Sequence, residues 1–161
     1  VQEAVLARYL IGRQVIILVD EAQGMPTESL EALRLLTNLE TNERKVVQVV
    51  LFAQPEMEER LRDEPELLPF RQRILVRCEL APLRYRETMS YIDHRLKVAG
   101  PNPRVRFSRL AGRAIHRWSA GVPRLINHLC DKAMLSAFVR QDHKVSLGDA
   151  WRARQDVGAL L

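Results

Sequence analysis

The 161-residue sequence contains only two cysteines, Cys78 and Cys130, too few for a disulfide framework or a cysteine-rich metal site. Its four histidines, His94, His116, His128 and His143, fall in no HExxH or comparable metal-binding spacing. No apolar stretch approaches the roughly 18 residues that a membrane-spanning helix requires. There is no run of five or six like charges, no low-complexity segment and no internal repeat. A more pointed absence is G-x-x-x-x-G-K-[ST], the glycine-rich loop whose backbone N–H groups and lysine hold phosphates.

What is present is ordinary for a soluble globular protein: 47% hydrophobic and 28% charged residues, in a length that suits one domain or two small ones. The net charge of +5, with an isoelectric point near 9.7, favours anionic partners such as nucleotide, nucleic acid or acidic lipid. Both cysteines lie in apolar sequence and are expected to be buried free thiols, which makes a reducing cytoplasm the simplest compartment. The chain opens at Val1 without methionine, and Val1 to Arg13 reads like the middle of a domain. The expectation is a C-terminal portion of a larger protein.

The most informative segment is Val15-Ile16-Ile17-Leu18-Val19-Asp20-Glu21-Ala22-Gln23. Five apolar, mostly β-branched residues predict a strand buried on both faces, as in a parallel sheet. Two carboxylates follow at its C-terminal tip, where open α/β sheets place their ligand chemistry. In P-loop NTPases the first such acid helps to hold Mg²⁺. The second would lie where it could orient and deprotonate an attacking water.

Elsewhere the pattern predicts a helix over Val1 to Gly12 and another from about Glu28 to Leu39. The second would be capped by Thr27, with Leu30, Leu33, Leu36 and Leu39 on one apolar face. A second strand is expected over Val46 to Ala53, with Gln54 at its tip and Pro55 stopping it. Glu56 to Arg62 reads as a short helix, and Ile74 to Leu80 as a third strand. Beyond Pro82 everything looks helical: about Tyr85 to Val98, Leu110 to Ser119, Pro123 to Val139 and Leu147 to Gln155. Ser146 and Asp149 have the spacing of a capping box. Trp118 and Trp151 are expected to be packing anchors. The chain therefore divides into an α/β part, residues 1–81, and an all-helical part, residues 82–161.

Taken together, these motifs resemble the AAA+ ATPase family, and within it the ExeA/MshM type linked to bacterial type II secretion and type IV pilus assembly. The resemblance rests on Ile17 to Gln23, the leucine-rich helix ending Thr37-Asn38-Leu39-Glu40-Thr41, Leu51-Phe52-Ala53-Gln54-Pro55-Glu56, Phe70 to Ile74, Tyr91 to Leu96, and Gly121-Val122-Pro123-Arg124-Leu125-Ile126-Asn127. It implies a partial P-loop parallel sheet followed by a helical lid. It also implies ATP and Mg²⁺ as ligands, with Asp20 supporting the metal and Glu21 activating water. Gln54 would be the sensor 1 residue. Arg73, or its rival Arg71, would be an arginine finger acting on a neighbouring subunit of a homo-oligomer. Arg124 would be sensor 2 on the lid.

Two departures from the family pattern are Ala53, where glycine is usual, and Arg84, where serine often caps the first lid helix. The missing phosphate loop is the third. Family strand order implies a gap between Val46–Ala53 and Ile74–Leu80, so the segment made alone should fold poorly and bind ATP negligibly. Partners implied are nucleotide, self, and secretion or pilus assembly proteins at the inner face of the bacterial inner membrane. The basic charge keeps a DNA-associated regulator of the transposition type open as an alternative, and a non-hydrolysing interaction module is another.

Overall fold

The computed structural model describes residues 13–38, 46–100 and 104–158, so the helix expected over Val1 to Gly12 and the position of Leu39 lie outside the described residues. The chain forms two compact units, Val1–Cys78 and Glu79–Leu161.

The first unit is built on two parallel strands, β1 (Val15–Val19) and β2 (Val47–Leu51). Val15 pairs with Val47 and Val19 with Leu51. The ladder continues past both strands, because Phe52 donates its N–H to the Val19 carbonyl at 2.8 Å and Ala22 donates to the Phe52 carbonyl at 3.0 Å. Between the strands the chain passes through a 3-10 turn, Ala22–Gly24, and helix α1, Thr27–Thr37. After β2 come α2 (Glu56–Asp63), a 3-10 turn at Pro65–Leu67, and α3 (Leu68–Arg73). Leu30 of α1, Met57 and Leu61 of α2, Leu67, and Phe70 of α3 form one buried cluster, on which Leu33 and Leu51 pack.

Three expectations for this unit fail. The apolar run of β1 is not buried on both faces. Val15 and Ile17 pack with Val46 and Val47, while Ile16 and Leu18 are 56% and 66% exposed. Successive side chains of a strand point to opposite faces, and the described residues cover only one face of this two-stranded sheet. Residues Ile74 to Leu80 form no strand, and Leu75, Val76 and Leu80 are exposed. A β-prone sequence becomes a strand only where a neighbouring ladder takes up its backbone groups, and β1 and β2 pair only with each other among the described residues. Cys78, within this stretch, is consequently exposed rather than buried. Finally, Thr27 does not cap α1. It is the first helical residue, Pro26 precedes the helix, and the Thr27 hydroxyl donates to Glu64 Oε2 at 3.2 Å.

The second unit packs four helices, α4 (Tyr85–Ala99), α5 (Arg109–Ser119), α6 (Pro123–Val139) and α7 (Leu147–Gly158), around one core. Ile92, Ile115, Ile126 and Leu129 supply its bulk. Ala111, Ala133, Ala137, Ala150 and Ala153 let the helices approach closely. A short parallel ribbon, β3 (Arg106–Phe107) with β4 (Lys144–Val145), was not legible in the sequence. Two residues per strand leave no periodicity to read. Trp118 packs on the core as expected, with the Arg154 guanidinium 5.1 Å over its ring. Trp151 is about half exposed and anchors nothing comparable.

The start of α6 is set by Gly121. Its φ is +79°, and a Cβ there would lie 2.1 Å from the Leu83 carbonyl oxygen. Leu83 in turn donates its N–H to the Gly121 carbonyl at 2.9 Å. Only glycine fits this close approach in the left-handed region. At the start of α4, Arg84 supplies no hydroxyl cap, but the Glu87 carboxylate accepts the Arg84 N–H at 2.7 Å. The Ser146–Asp149 capping box is present in both directions, with bonds of 2.8 and 3.3 Å.

Candidate functional site

The parallel register of β1 and β2 brings their C-terminal tips side by side, and the sequence-predicted acids and glutamine meet there. Asp20 follows β1 directly, and its Oδ1 accepts the Glu21 N–H at 2.9 Å. Glu21 has φ 54° and ψ 39°, a left-handed conformation uncommon outside glycine. That turn reverses the chain into Ala22–Gly24 and carries the Glu21 side chain toward β2. There the Gln54 side-chain amide donates to Glu21 Oε2 at 3.0 Å.

Gln23 completes the cluster. Its side-chain amide also donates to Glu21 Oε2, and its carbonyl Oε1 accepts the Gln54 backbone N–H at 3.1 Å. Glu21 Oε2 therefore holds two amide donors, while Oε1 has no hydrogen-bond partner among the described residues. Glu21 and Gln54 are both exposed. The result is a carboxylate with one oxygen fixed by the protein and the other open to solvent.

The loop under this cluster is clamped by Arg60 of α2. Its guanidinium donates to the carbonyls of Gln23 at 2.7 Å and Met25 at 2.9 Å. The same group pairs with Glu64 at 2.7 and 3.2 Å and reaches the Thr27 hydroxyl. The hydrogen bond between them raises the Arg60 pKa and lowers that of Glu64. Gln23 and Arg60 were not singled out in the sequence. Gln23 closes the Asp-Glu-Ala-Gln string and so had a signal. Arg60 had none, because its partners lie 35 and 37 residues away.

The other predicted site residues are not part of this cluster. Arg71 and Arg73 lie in the last turn of α3, exposed and without an ion pair among the described residues. They sit at a helix end, since the strand expected from Ile74 to Leu80 does not form. Arg124 is the second residue of α6 in the other unit, also exposed. No acidic residue occupies the first turn of α6.

The donor set suits Mg²⁺ in a limited way. No group of three or more His, Cys, Asp or Glu side chains able to hold a metal occurs among the described residues. Mg²⁺ normally takes one or two carboxylates together with substrate phosphates and water, and Asp20 Oδ2 has no hydrogen-bond partner among the described residues and could make such a bond.

A family profile described as "AAA domain" matches residues 1–61. The chain is 43% identical over 160 residues to General secretion pathway protein A of Aeromonas hydrophila. That alignment covers 99% of this chain and 29% of that protein, so the chain spans less than a third of its relative's length. Among solved structures, ORC2 of Aeropyrum pernix superimposes with a TM-score of 0.70 at 15% identity, covering 96% of this chain and 42% of that one. A RuvB variant of Thermotoga maritima gives a TM-score of 0.67 at 14% identity, covering 98% of this chain and 50% of that one. At these identities the structural likeness concerns the fold, which is that of P-loop AAA+ proteins.

Proposed function

We propose, for a chain that matches an AAA family profile and is 43% identical over 160 residues to a general secretion pathway protein, that the tips of β1 and β2 form the water-activating half of an ATP hydrolysis site. The observation that supports this most is the 3.0 Å hydrogen bond from Gln54 to Glu21 across two adjacent strand tips. With Oε2 committed to the amides, Oε1 of Glu21 is the oxygen free to accept a proton from a water attacking the γ-phosphate. Gln54 fixes the carboxylate and, in this reading, its amide would contact the γ-phosphate or that water.

Mg²⁺, held by Asp20 and the phosphates, would supply charge neutralisation at the phosphoryl oxygens. The chain has no G-x-x-x-x-G-K-[ST] loop, so in this reading the phosphate cradle comes from sequence outside these 161 residues. Arg73 or Arg71, exposed at the end of α3, would act as the finger toward a neighbouring subunit. Arg124 would reach the phosphates from the helical lid. A guanidinium suits both roles because it stays charged and pairs with phosphoryl oxygens through a planar fork. In the intact homo-oligomer the cycle would drive work or signalling on a secretion or pilus assembly complex from the cytoplasmic side.

The test is ATP turnover by the intact protein carrying Glu21→Gln. Losing a general base lowers turnover by about 10²–10⁴-fold, while nucleotide binding is retained. Unchanged turnover would replace this reading with a non-hydrolysing interaction module.

A further inference from the structure

The charge of the chain is not shared evenly between its units. Residues 79–161 contain 15 Lys and Arg against 7 Asp and Glu, whereas residues 1–78 contain 10 against 13. The excess in the second unit is organised. Arg109, Arg113 and Arg117 recur every four residues of α5, so they form one exposed stripe with neighbours about 6 Å apart along the helix. The opposite side of α5, with Ala111 and Ile115, is buried in the core.

The β3–β4 ribbon, with Arg104 two residues before it, adds three more cations. Arg104, Arg106 and Lys144 line an open concavity of about 440 Å³ together with Phe107, His143 and Asp142. Asp142 is the one carboxylate there, and it is engaged by Arg140 at 3.3 Å and by the Lys144 N–H at 2.8 Å. The six cations of stripe and ribbon make no ion pair with any described residue. Ser108 joins the two, donating its N–H to the Val145 carbonyl of the ribbon and capping α5 through Ala111.

We infer that this stripe and ribbon form a docking surface for the phosphate backbone of duplex nucleic acid. It is separate from the site at the strand tips and does not depend on the reading of that site. Arginine at one-turn spacing offers successive planar forks to successive phosphates. An acidic lipid surface fits the same charge but not the same geometry. A membrane-bound helix must insert an apolar face, and that of α5 is already buried apart from the single exposed side chain of Leu110. The exposed apolar residues Leu135, Phe138 and Val139 lie on the side of α6 away from the core that α5 shares.

The test is fluorescence anisotropy of a labelled mixed-sequence duplex with the intact protein, titrated from 50 to 200 mM salt. Six phosphate contacts predict an affinity that falls about 10³-fold over that range. The triple variant R109Q/R113Q/R117Q should reduce the log–log salt slope by about 2.7, and R104Q/K144Q by about 1.8. The corresponding arginine-to-lysine triple should keep the slope. Should the glutamine triple fail to fold, the ribbon pair decides. Absence of binding at 50 mM salt, slopes unchanged in the folded variants, binding only to phosphatidylglycerol vesicles, or salt-dependent self-association in place of DNA binding would each overturn the inference.

Discussion

The Gln54 side-chain amide donates to Glu21 Oε2 at 3.0 Å, joining residues 33 positions apart at the tips of two parallel strands. Gln54→Ala removes one hydrogen bond to a charged group, worth about 1.5–3 kcal/mol. A fall in ATP turnover of roughly 10- to 100-fold is expected in the intact protein, with the apparent affinity for ATP little changed. Steady-state turnover and nucleotide titration check this. A variant with loss in affinity alone would make Gln54 a binding residue instead.

Arg60 is expected to matter as much for the loop as for the fold. Arg60→Ala leaves the carbonyls of Gln23 and Met25 without their donor, at a cost of about 1–3 kcal/mol. Urea denaturation should register that loss, and turnover should fall because Gln23 no longer holds Glu21 and Gln54 in register. Glu64→Gln, which leaves the guanidinium in place, should do markedly less of both.

Asp149 is fully buried and accepts hydrogen bonds from Ser136, Arg140, Ser146 and Arg152. Burial opposes its ionisation, but the bonds from Arg140, Ser146 and Ser136 outweigh burial and hold the carboxyl well below the usual range. A depressed folded-state pKa contributes stability that is present above the ordinary carboxylate value, about 3.9, and is lost as pH falls toward the folded value. Asp149→Asn should therefore lower stability near pH 7 and flatten its decline below about pH 4. Denaturant midpoints across pH 2–7 test this, and parallel curves for the two proteins would contradict it.

Gly121→Ala places a Cβ against the Leu83 carbonyl at a positive φ, so a destabilisation above about 1 kcal/mol is expected. Gly148→Ala serves as the control, since its nearest neighbour would be Ser146 Oγ at 3.6 Å, an ordinary contact. Thermal melting of the pair should separate them clearly. Equal stability would mean that the Leu83 backbone moves aside at no cost.

The two cysteines should differ in reactivity. Cys78 is exposed, whereas burial, with Asp131 nearby, pushes the Cys130 thiol up to about 12. An aromatic disulfide reagent at pH 8 should modify one thiol rapidly and the second only as the protein unfolds. Rapid modification of both would show that the second unit opens readily.

Much of the second unit was legible in the sequence, because α4 to α7 carry their own signals. Proline starts α6, Ser146 and Asp149 box the start of α7, and apolar residues recur at helical spacing. The strands β1 and β2 were legible as apolar runs and the acids as a motif. The strand expected at Ile74 to Leu80 was not realised, and Cys78 was misplaced with it, because strand formation depends on a partner that no local pattern supplies.

The sequence by itself determined the resemblance to the AAA+ family, the four helices beyond Pro82, and the chemical types available for the site: Asp20, Glu21, Gln54 and three candidate arginines. Local residue type and spacing are enough for those. Only the tertiary structure decided that Glu21 and Gln54 touch, that Gln23 links them, and that Arg60 holds the loop beneath. Those relations span 31 to 37 residues of chain and exist only because parallel pairing of β1 with β2 aligns the two strand tips.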